Sequence, residues 1–296
     1  MVIKRGDTMQ NYNYWSQDTS ESIEHHGILG QKWGVRRFQN EDGSLTAAGQ
    51  ERYLSNKTYA QKHDVTLGTG NKMYRISTNP DAEDAPRIYT ALTKSDANAY
   101  KGLYSRDLYN AFKVNKVYQK TYEVSKNTSI ASEERCKNIM ADTIKSNSKF
   151  KNAALKTLQD EKKDTTFRFK PREIDSAIKE VENGTLSTSA FNILSTTIVK
   201  ADPYGFQKTY FNKLAKNGYD GLMDINNKYI QTKYHSTAPA IIFNTNKLKL
   251  SSIEEYDPRN ISKFYAQEFA KQQVRALSEN GNKLINYINK TSEQGY

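Results

Sequence analysis

Residues 206–224, FQKTYFNKLAKNGYDGLMD, place a helix and a strand in one short segment. The part from Phe206 to Lys216 predicts a helix, because Asn217-Gly218 supplies the left-handed stop expected at a helix end. The part from Gly218 to Asp224 then predicts a short strand. A helix that passes directly into a strand indicates a fold that mixes both kinds of element.

Further strand and helix patterns flank this segment on both sides. The predicted strands, bounded by turn residues, are 73–77, 87–92, 116–124, 238–244 and 248–252. The predicted helices are one that begins with Ser95 as N-cap, 132–160, 172–181 with Pro171 in its first turn, one between Ser187 and Val199, and 258–277. These patterns predict an α+β fold of small mixed or antiparallel sheets with several helices.

The composition indicates a folded protein with polar tails. The 296 residues are long enough for one large domain or two ordinary ones. Only 36% are hydrophobic, and 20 Tyr and 11 Phe supply much of the apolar surface. No apolar run approaches the roughly 20 residues of a membrane span, and the first residues lack the apolar core of a secretory signal. We therefore expect no membrane contact and a cytosolic location.

The net charge limits the kinds of partner that are possible, and the cysteine content limits the kinds of disulfide and metal site. The formal net charge of +11 suits contact with nucleic acid or with an acidic protein surface, but lysines are spread along the chain and do not choose between these. The single cysteine, Cys136, excludes intramolecular disulfides and Cys-rich zinc modules. Its place in a helical pattern favours a packing or surface role over that of a nucleophile.

Residues 25–53, HHGILGQKWGVRRFQNEDGSLTAAGQERY, concentrate glycines, aromatics and basic residues in a short run. The glycines free the backbone, and the apolar side chains around Trp33 suit docking into a groove. Asn40 to Ser44 has the composition of a tight turn, and a helix capped by Ser44 or Thr46 is expected to run through Tyr53. The alternative is a surface loop with one buried tryptophan.

The adjacent histidines His25 and His26 are not expected to bind a metal. Two neighbouring residues rarely bind one ion together, and no Cys or carboxylate lies at ligand spacing. The sequence therefore predicts no metal site in this segment.

Residues 25–53 closely resemble a short module that recurs near the start of head-associated proteins of tailed phages and prophages. The resemblance covers about a tenth of the chain. It implies a virion component, made in the bacterial cytoplasm, that docks on portal, capsid or scaffold proteins. The residues that it assigns to docking are His25, His26, Trp33, Arg36 and Arg37.

The order of elements after residue 67 more weakly resembles an ADP-ribosyltransferase-like fold, which occurs in bacterial toxins and phage head proteins. That resemblance implies NAD as cofactor if the body is active. It implies that Arg75 holds the dinucleotide phosphates and that Tyr89 and Thr90 shape the nicotinamide pocket. Arginine suits the first role because its planar fork binds phosphate oxygens in two places.

The third residue of that family pattern, a Glu near a later strand, has no match between Gly218 and Phe243. The candidate carboxylates there are Asp220 and Asp224, and an Asp can replace Glu only if the backbone moves closer by one methylene. The alternatives are structural: Arg75 as a strand-edge arginine paired with a carboxylate, and Asp220 as a turn residue.

Two other patterns suggest chemistry without completing a site. His235 follows Tyr234 in a polar loop, and with only His63 elsewhere in the body no acid–base pair is evident for a hydrolase or ribonuclease-like toxin. The stretch 68–70, GTG, lacks the Lys-Ser/Thr of a phosphate loop.

The sequence therefore predicts four segments. They are a flexible arm at 1–22, a docking module at 23–66, an α+β body at 67–256 with a helical insertion near 132–200, and a C-terminal helix and polar tail at 257–296. The first functional hypothesis is a head-associated structural protein with an inactive transferase-like body. The alternatives are an active, virion-carried mono-ADP-ribosyltransferase that modifies a host protein, and a DNA-contacting packaging factor, which would bind with strong salt dependence.

Overall fold

The structure is a computed structural model that describes residues 37–81, 86–163, 169–224 and 239–260, with residues 267, 270 and 271. The described residues belong to one compact unit that begins at Arg36. The boundary drawn at residue 67 from the sequence therefore does not coincide with a boundary in the structure. The predicted docking residues His25, His26, Trp33 and Arg36 lie outside the described residues, as does most of the predicted helix 258–277.

A single mixed sheet of eight strands forms the centre of the described fold. The strands are β1 (Val65–Leu67), β2 (Lys72–Ser77), β3 (Ile88–Ala91), β4 (Val117–Val124), β5 (Thr128–Ala131), β6 (Gly221–Met223), β7 (Pro239–Ile242) and β8 (Leu248–Tyr256). Their spatial order is β1-β5-β6-β7-β3-β2-β4-β8, and every neighbouring pair is antiparallel except β5 and β6. The α+β class is confirmed, and one large sheet takes the place of the small sheets that we expected.

Helices occupy most of the remaining described chain. They are α1 (Ala47–Leu54), α2 (Lys57–Lys62), α3 (Lys94–Phe112), α4 (Glu133–Lys145), α5 (Ser148–Lys163), α6 (Pro171–Asn183), α7 (Thr188–Thr196), α8 (Ile198–Ala201) and α9 (Phe206–Lys216). Short 3-10 turns lie at Pro203–Gly205, Thr245–Lys247 and Pro258–Asn260.

The strand β7 contributes to hydrophobic cores on both faces of the sheet. Ile241 packs into a large core with the helices α4 to α9, whereas Ile242 packs into a second core with α1, α2, β1 and β4. Successive residues of a strand point to opposite faces, so burial on both faces requires a continuous apolar run. The run Pro239–Ile242 meets this requirement, and all four of its residues are buried.

Residues 206–224 form the helix and the strand that their sequence predicts. Helix α9 ends before Gly218, which has a φ of +88°. Three residues later, Gly221 begins β6 so close to β7 that a Cβ there would lie 2.9 Å from the carbonyl oxygen of Ile241. Glycine is therefore required at both positions, once for backbone conformation and once for space.

Several boundaries differ from the sequence predictions for local reasons. The N-cap of α3 is Thr93 rather than Ser95, and its side chain accepts a hydrogen bond from the backbone N–H of Asp96. The predicted helix 132–160 is two helices, because Asn147 interrupts it and its side chain accepts from the N–H of Lys149. The strands β1 and β5 were not predicted, since three and four residues are too few for a periodicity to show.

Candidate functional site

The structure describes the docking module from residue 37 onward. Asn40 to Ser44 form the tight turn that the composition of this stretch predicts. The N–H of Asn40 donates to the carbonyl oxygen of Ser44 at 2.7 Å, and Gly43 takes a φ of +79° between them. The Asp42 carboxylate accepts from the N–H and hydroxyl of Ser44 and, on its other oxygen, from Asn127 of the body. These bonds, led by that from the Ser44 hydroxyl, lower the pKa of Asp42.

Leu45 ties the module to the sheet. Its side chain is buried in the second core, and its backbone bridges to Gln39 and, in parallel, to Leu67 at the end of β1. The N–H of Leu45 donates to the carbonyl oxygen of Thr66, and its carbonyl oxygen accepts from the Asn71 amide. The module thus covers the free edge of β1, which would otherwise expose unpaired backbone groups.

Helix α1 provides a second attachment of the module to the body. Thr46 caps the helix as predicted, accepting from the N–H of Gly49 at 3.1 Å. The buried side-chain amide of Gln50 donates to the carbonyl oxygens of Lys72 and Leu92. Residues 37–53 are therefore part of the folded body.

A strip of aromatic rings with two guanidinium groups lies along this part of the module. Phe38 contacts Tyr53 edge-on, and Tyr53 stacks on Tyr59 with ring centres 4.9 Å apart. The guanidinium carbons of Arg37 and Arg52 lie 5.3 Å and 4.6 Å from the centre of the Phe38 ring. Both arginines are exposed, so the strip presents fixed cations to solvent. We call these five residues the cation–aromatic strip.

Arg75, the predicted phosphate anchor, lies where β2 and β3 separate. Only Tyr74 and Ala91 are paired between these strands, and beyond them the Nη1 of Arg75 donates to the carbonyl oxygen of Tyr89 at 3.2 Å. The guanidinium therefore takes the place of a missing backbone hydrogen bond. A second cation stands opposite, because Arg75 is paired across the sheet with Lys120 of β4, which is fully buried and donates to the carbonyl oxygen of Asp81.

The two residues expected to shape a nicotinamide pocket point to opposite faces of the sheet. Tyr89 packs against the helical core, whereas the buried hydroxyl of Thr90 lies 3.9 Å from the sulfur of Met73 in the second core. Strand alternation makes this separation unavoidable for neighbouring residues of β3. Tyr89 and Thr90 therefore do not line one pocket, and Thr90 does not fit the role that the resemblance implies.

Three charged side chains act on the hydroxyl of Tyr89. Burial is the largest influence and raises the pKa of Tyr89 above its ordinary value. Arg87 and Arg75 favour the ionised phenol and lower the pKa, while the carboxylate of Asp224 raises it. Asp224 is itself buried, directly after β6, and its N–H donates to the carbonyl oxygen of Pro239. We call Tyr89 and the three charged residues that act on it, Arg87, Asp224 and Arg75, the electrostatic cluster at Tyr89.

Asp220, the other candidate carboxylate, is engaged in structural bonds. Its Oδ2 accepts from the Lys247 ammonium at 2.7 Å and from the N–H of Ser129 at 2.9 Å, and its Oδ1 accepts from the Asn244 amide at 2.8 Å. Its side chain is only 7% exposed. These contacts join β5, β6 and the end of β7, as the interpretation of Asp220 as a turn residue implies.

Sequence reasoning passed over Arg87 and Lys120, although both neighbour predicted site residues in the structure. Arg87 stands immediately before β3 and two positions before Tyr89. Its closeness in sequence to a predicted site residue could have identified it. Lys120 gave no such signal, because the two faces of β4 are weakly distinguished in sequence; in the structure six of its eight residues are buried.

Among the described residues, no three His, Cys, Asp or Glu side chains come together as a metal ion would require. In the described part of the chain, every helix is too short or too polar to serve as a membrane span.

Comparison of the chain with known proteins gave no match among protein-family models, curated proteins or solved structures.

Proposed function

We propose that this protein is a structural component of a tailed-phage head that docks on portal, capsid or scaffold proteins through its N-terminal module. The resemblance of residues 25–53 to head-protein modules motivates the proposal. The structural observation that supports it is the anchoring of residues 37–53 in the body through Leu45, Thr46 and Gln50. If the docking segment binds a partner, this anchoring holds the whole body at the partner surface.

The cation–aromatic strip suits an interface with an acidic partner. Arginine and tyrosine are enriched among the residues that dominate binding energy. Guanidinium groups already held against an aromatic ring lose less freedom when they meet carboxylates. The partner surface that we expect therefore carries carboxylates opposite Arg37 and Arg52.

The test measures how much protein co-purifies with particles when it is co-expressed with the portal, capsid and scaffold proteins of the same genome. Trp33→Ala is expected to reduce incorporation and to leave the body folded. Arg52→Ala is expected to reduce it as well, while the matched control Arg172→Ala, at an exposed position on α6, leaves it unchanged. Normal incorporation of Trp33→Ala would contradict the docking proposal.

The electrostatic cluster at Tyr89 favours a second candidate, a virion-carried mono-ADP-ribosyltransferase. NAD would place its phosphates at Arg75, and Asp224 is the carboxylate that could act at the ribose. Asp220 is unsuited because its oxygens already accept three hydrogen bonds, and Thr90 is turned into the second core. The residues thus fit the cofactor only in part, and no reaction step is assigned to them.

The second candidate is tested by nicotinamide release from NAD, with wild type against Arg75→Ala and a host lysate as acceptor. Arg75-dependent release would establish an enzyme. Equal background rates with both folded proteins, with and without lysate, would count against it and leave the structural role as the proposal.

A further inference from the structure

An open cleft of about 700 Å³ lies between helix α9 and the adjoining ends of β3 and β7. It faces the same helical core as Tyr89 and includes Arg87, whose charge also acts on Tyr89. Its volume falls within the range of roughly 300–1,000 Å³ that is typical of small-molecule sites.

One wall of the cleft is aromatic and carries a fixed cation. Phe211 of α9 meets Phe243 edge-on, with ring centres 5.6 Å apart and planes at 80°. The guanidinium carbon of Arg87 lies 4.8 Å from the centre of the Phe211 ring. Phe211 thus makes a cation–π contact with the guanidinium of Arg87, which is half-buried and lines the cleft.

The charges of the cleft are not balanced. Arg87, Lys208 and Lys247 line it against the carboxylates of Asp202 and Asp220. Asp220 is paired with Lys247 at 2.7 Å, and Asp202 accepts from the N–H of Gln207 at the start of α9. Within the part of the chain that the structure describes, Arg87 and Lys208 have no carboxylate partner. The cleft therefore favours an anion.

We propose that this cleft binds a nucleoside monophosphate, with the base stacked on the guanidinium of Arg87 and the phosphate at Lys208. A planar base is the complement of a guanidinium plane already backed by an aromatic ring. Lys208 is exposed on the first turn of α9 and carries three donors for phosphate oxygens. Lys247 also lines the cleft, and among the described residues its ammonium donates to Asp220 and Asn127, which leaves a third N–H for a ligand. This proposal does not rest on a docking or transferase function.

The experiment is calorimetric titration of the full chain with AMP, adenosine and inorganic phosphate. AMP is expected to bind at least about tenfold more tightly than either fragment, because only AMP combines stacking with the charge contact. Arg87→Leu and Lys208→Ala are each expected to weaken AMP binding by about tenfold or more. The control Arg172→Leu, on α6 and outside the cleft, is expected to leave it unchanged.

The Arg75→Ala variant distinguishes binding in this cleft from binding at Arg75, which lies between β2 and β3. If AMP affinity survives Arg75→Ala and falls in Arg87→Leu and Lys208→Ala, the proposal is supported. The proposal is overturned if AMP does not bind at millimolar concentration, if inorganic phosphate binds equally well, or if Arg75→Ala weakens AMP as much as Arg87→Leu does. Lys208 is exposed, so its variant remains informative even if Arg87→Leu fails to fold.

Discussion

The hydroxyl of Tyr219 donates a 2.7 Å hydrogen bond to the carboxylate of Asp64, although 155 residues separate them. The same carboxylate accepts from the N–H and hydroxyl of Ser132 and from the Nε of Arg135 at 3.2 Å. Asp64 precedes β1, Ser132 and Arg135 begin α4, and Tyr219 precedes β6. One carboxylate therefore fastens three elements that are distant in sequence, and its bonds make stability dependent on pH at both extremes.

The alkaline dependence follows from Tyr219. Burial, followed by the hydrogen bond to Asp64, raises the pKa of Tyr219 from 10.0 to about 12. A raised pKa gives a stabilisation that is complete below the unfolded value and lost as pH rises through the folded value. The difference in free energy of unfolding between wild type and Tyr219→Phe is therefore expected to shrink between about pH 10 and about pH 12. Urea denaturation at several pH values measures it, and a constant difference would contradict the assignment.

The acidic dependence follows from Asp64. Burial acts to raise its pKa, but the hydrogen bonds from Ser132, Tyr219 and Arg135 outweigh it and lower the pKa below the ordinary 3.8. A lowered pKa gives a stabilisation that is present above the unfolded value and lost as pH falls through the folded value. Wild type is therefore expected to lose its advantage over Asp64→Asn as pH falls below about 4. The exposed Asp175→Asn serves as control, and its difference from wild type should change less over that range.

Asp220 is expected to matter for stability whatever the function of the body. Asp220→Ala leaves the Lys247 ammonium, the Ser129 N–H and the Asn244 amide without their acceptor. Because Asp220 is buried but Lys247 is 30% exposed, the expected cost is that of unsatisfied polar groups, about 1–3 kcal/mol, and denaturant unfolding measures the loss. Asp160→Ala, at the exposed pair with Lys163, should cost less than about 1 kcal/mol. Similar values for the two variants would show that the Asp220 contacts contribute little.

The sequence predicted elements with a clear periodicity or cap, such as α1 behind Thr46 and α9 before Gly218. It did not predict β1 and β5, whose strand character depends on pairing with each other and not on local pattern. The candidate site was predicted in part for the same reason. Arg75 and Asp224 both act on Tyr89 because the order of strands places β2 beside β3 and β6 two strands away. Tyr89 and Thr90, adjacent in sequence, are separated by the geometry of a strand.

The buried amide of Gln50 provides a test of how the module is anchored. Gln50→Leu keeps the approximate volume but leaves the carbonyl oxygens of Lys72 and Leu92 without this donor, which should cost about 1–3 kcal/mol. Gln50→Glu places a carboxylate against the same oxygens, so its destabilisation should be larger at neutral pH and smaller in acid, where the carboxyl can donate. Urea unfolding at both pH values measures this, and a pH-independent penalty would be contrary to the predicted contact.

Gly49 tests the same attachment through a reversal of sign. Within a helix, Gly→Ala ordinarily stabilises by up to about 1 kcal/mol. A Cβ at Gly49 would lie 1.9 Å from the carbonyl oxygen of Phe38, so Gly49→Ala must displace the backbone that carries the cation–aromatic strip. We expect a loss of about 1–3 kcal/mol or more, measured by denaturant unfolding, together with reduced incorporation into particles. Gly43→Ala is the matched control, because its Cβ meets open space and only its φ of +79° adds strain, at about 1–2 kcal/mol. If Gly49→Ala instead stabilised the chain, Phe38 would not be packed on α1, and the strip would not be held as a docking surface.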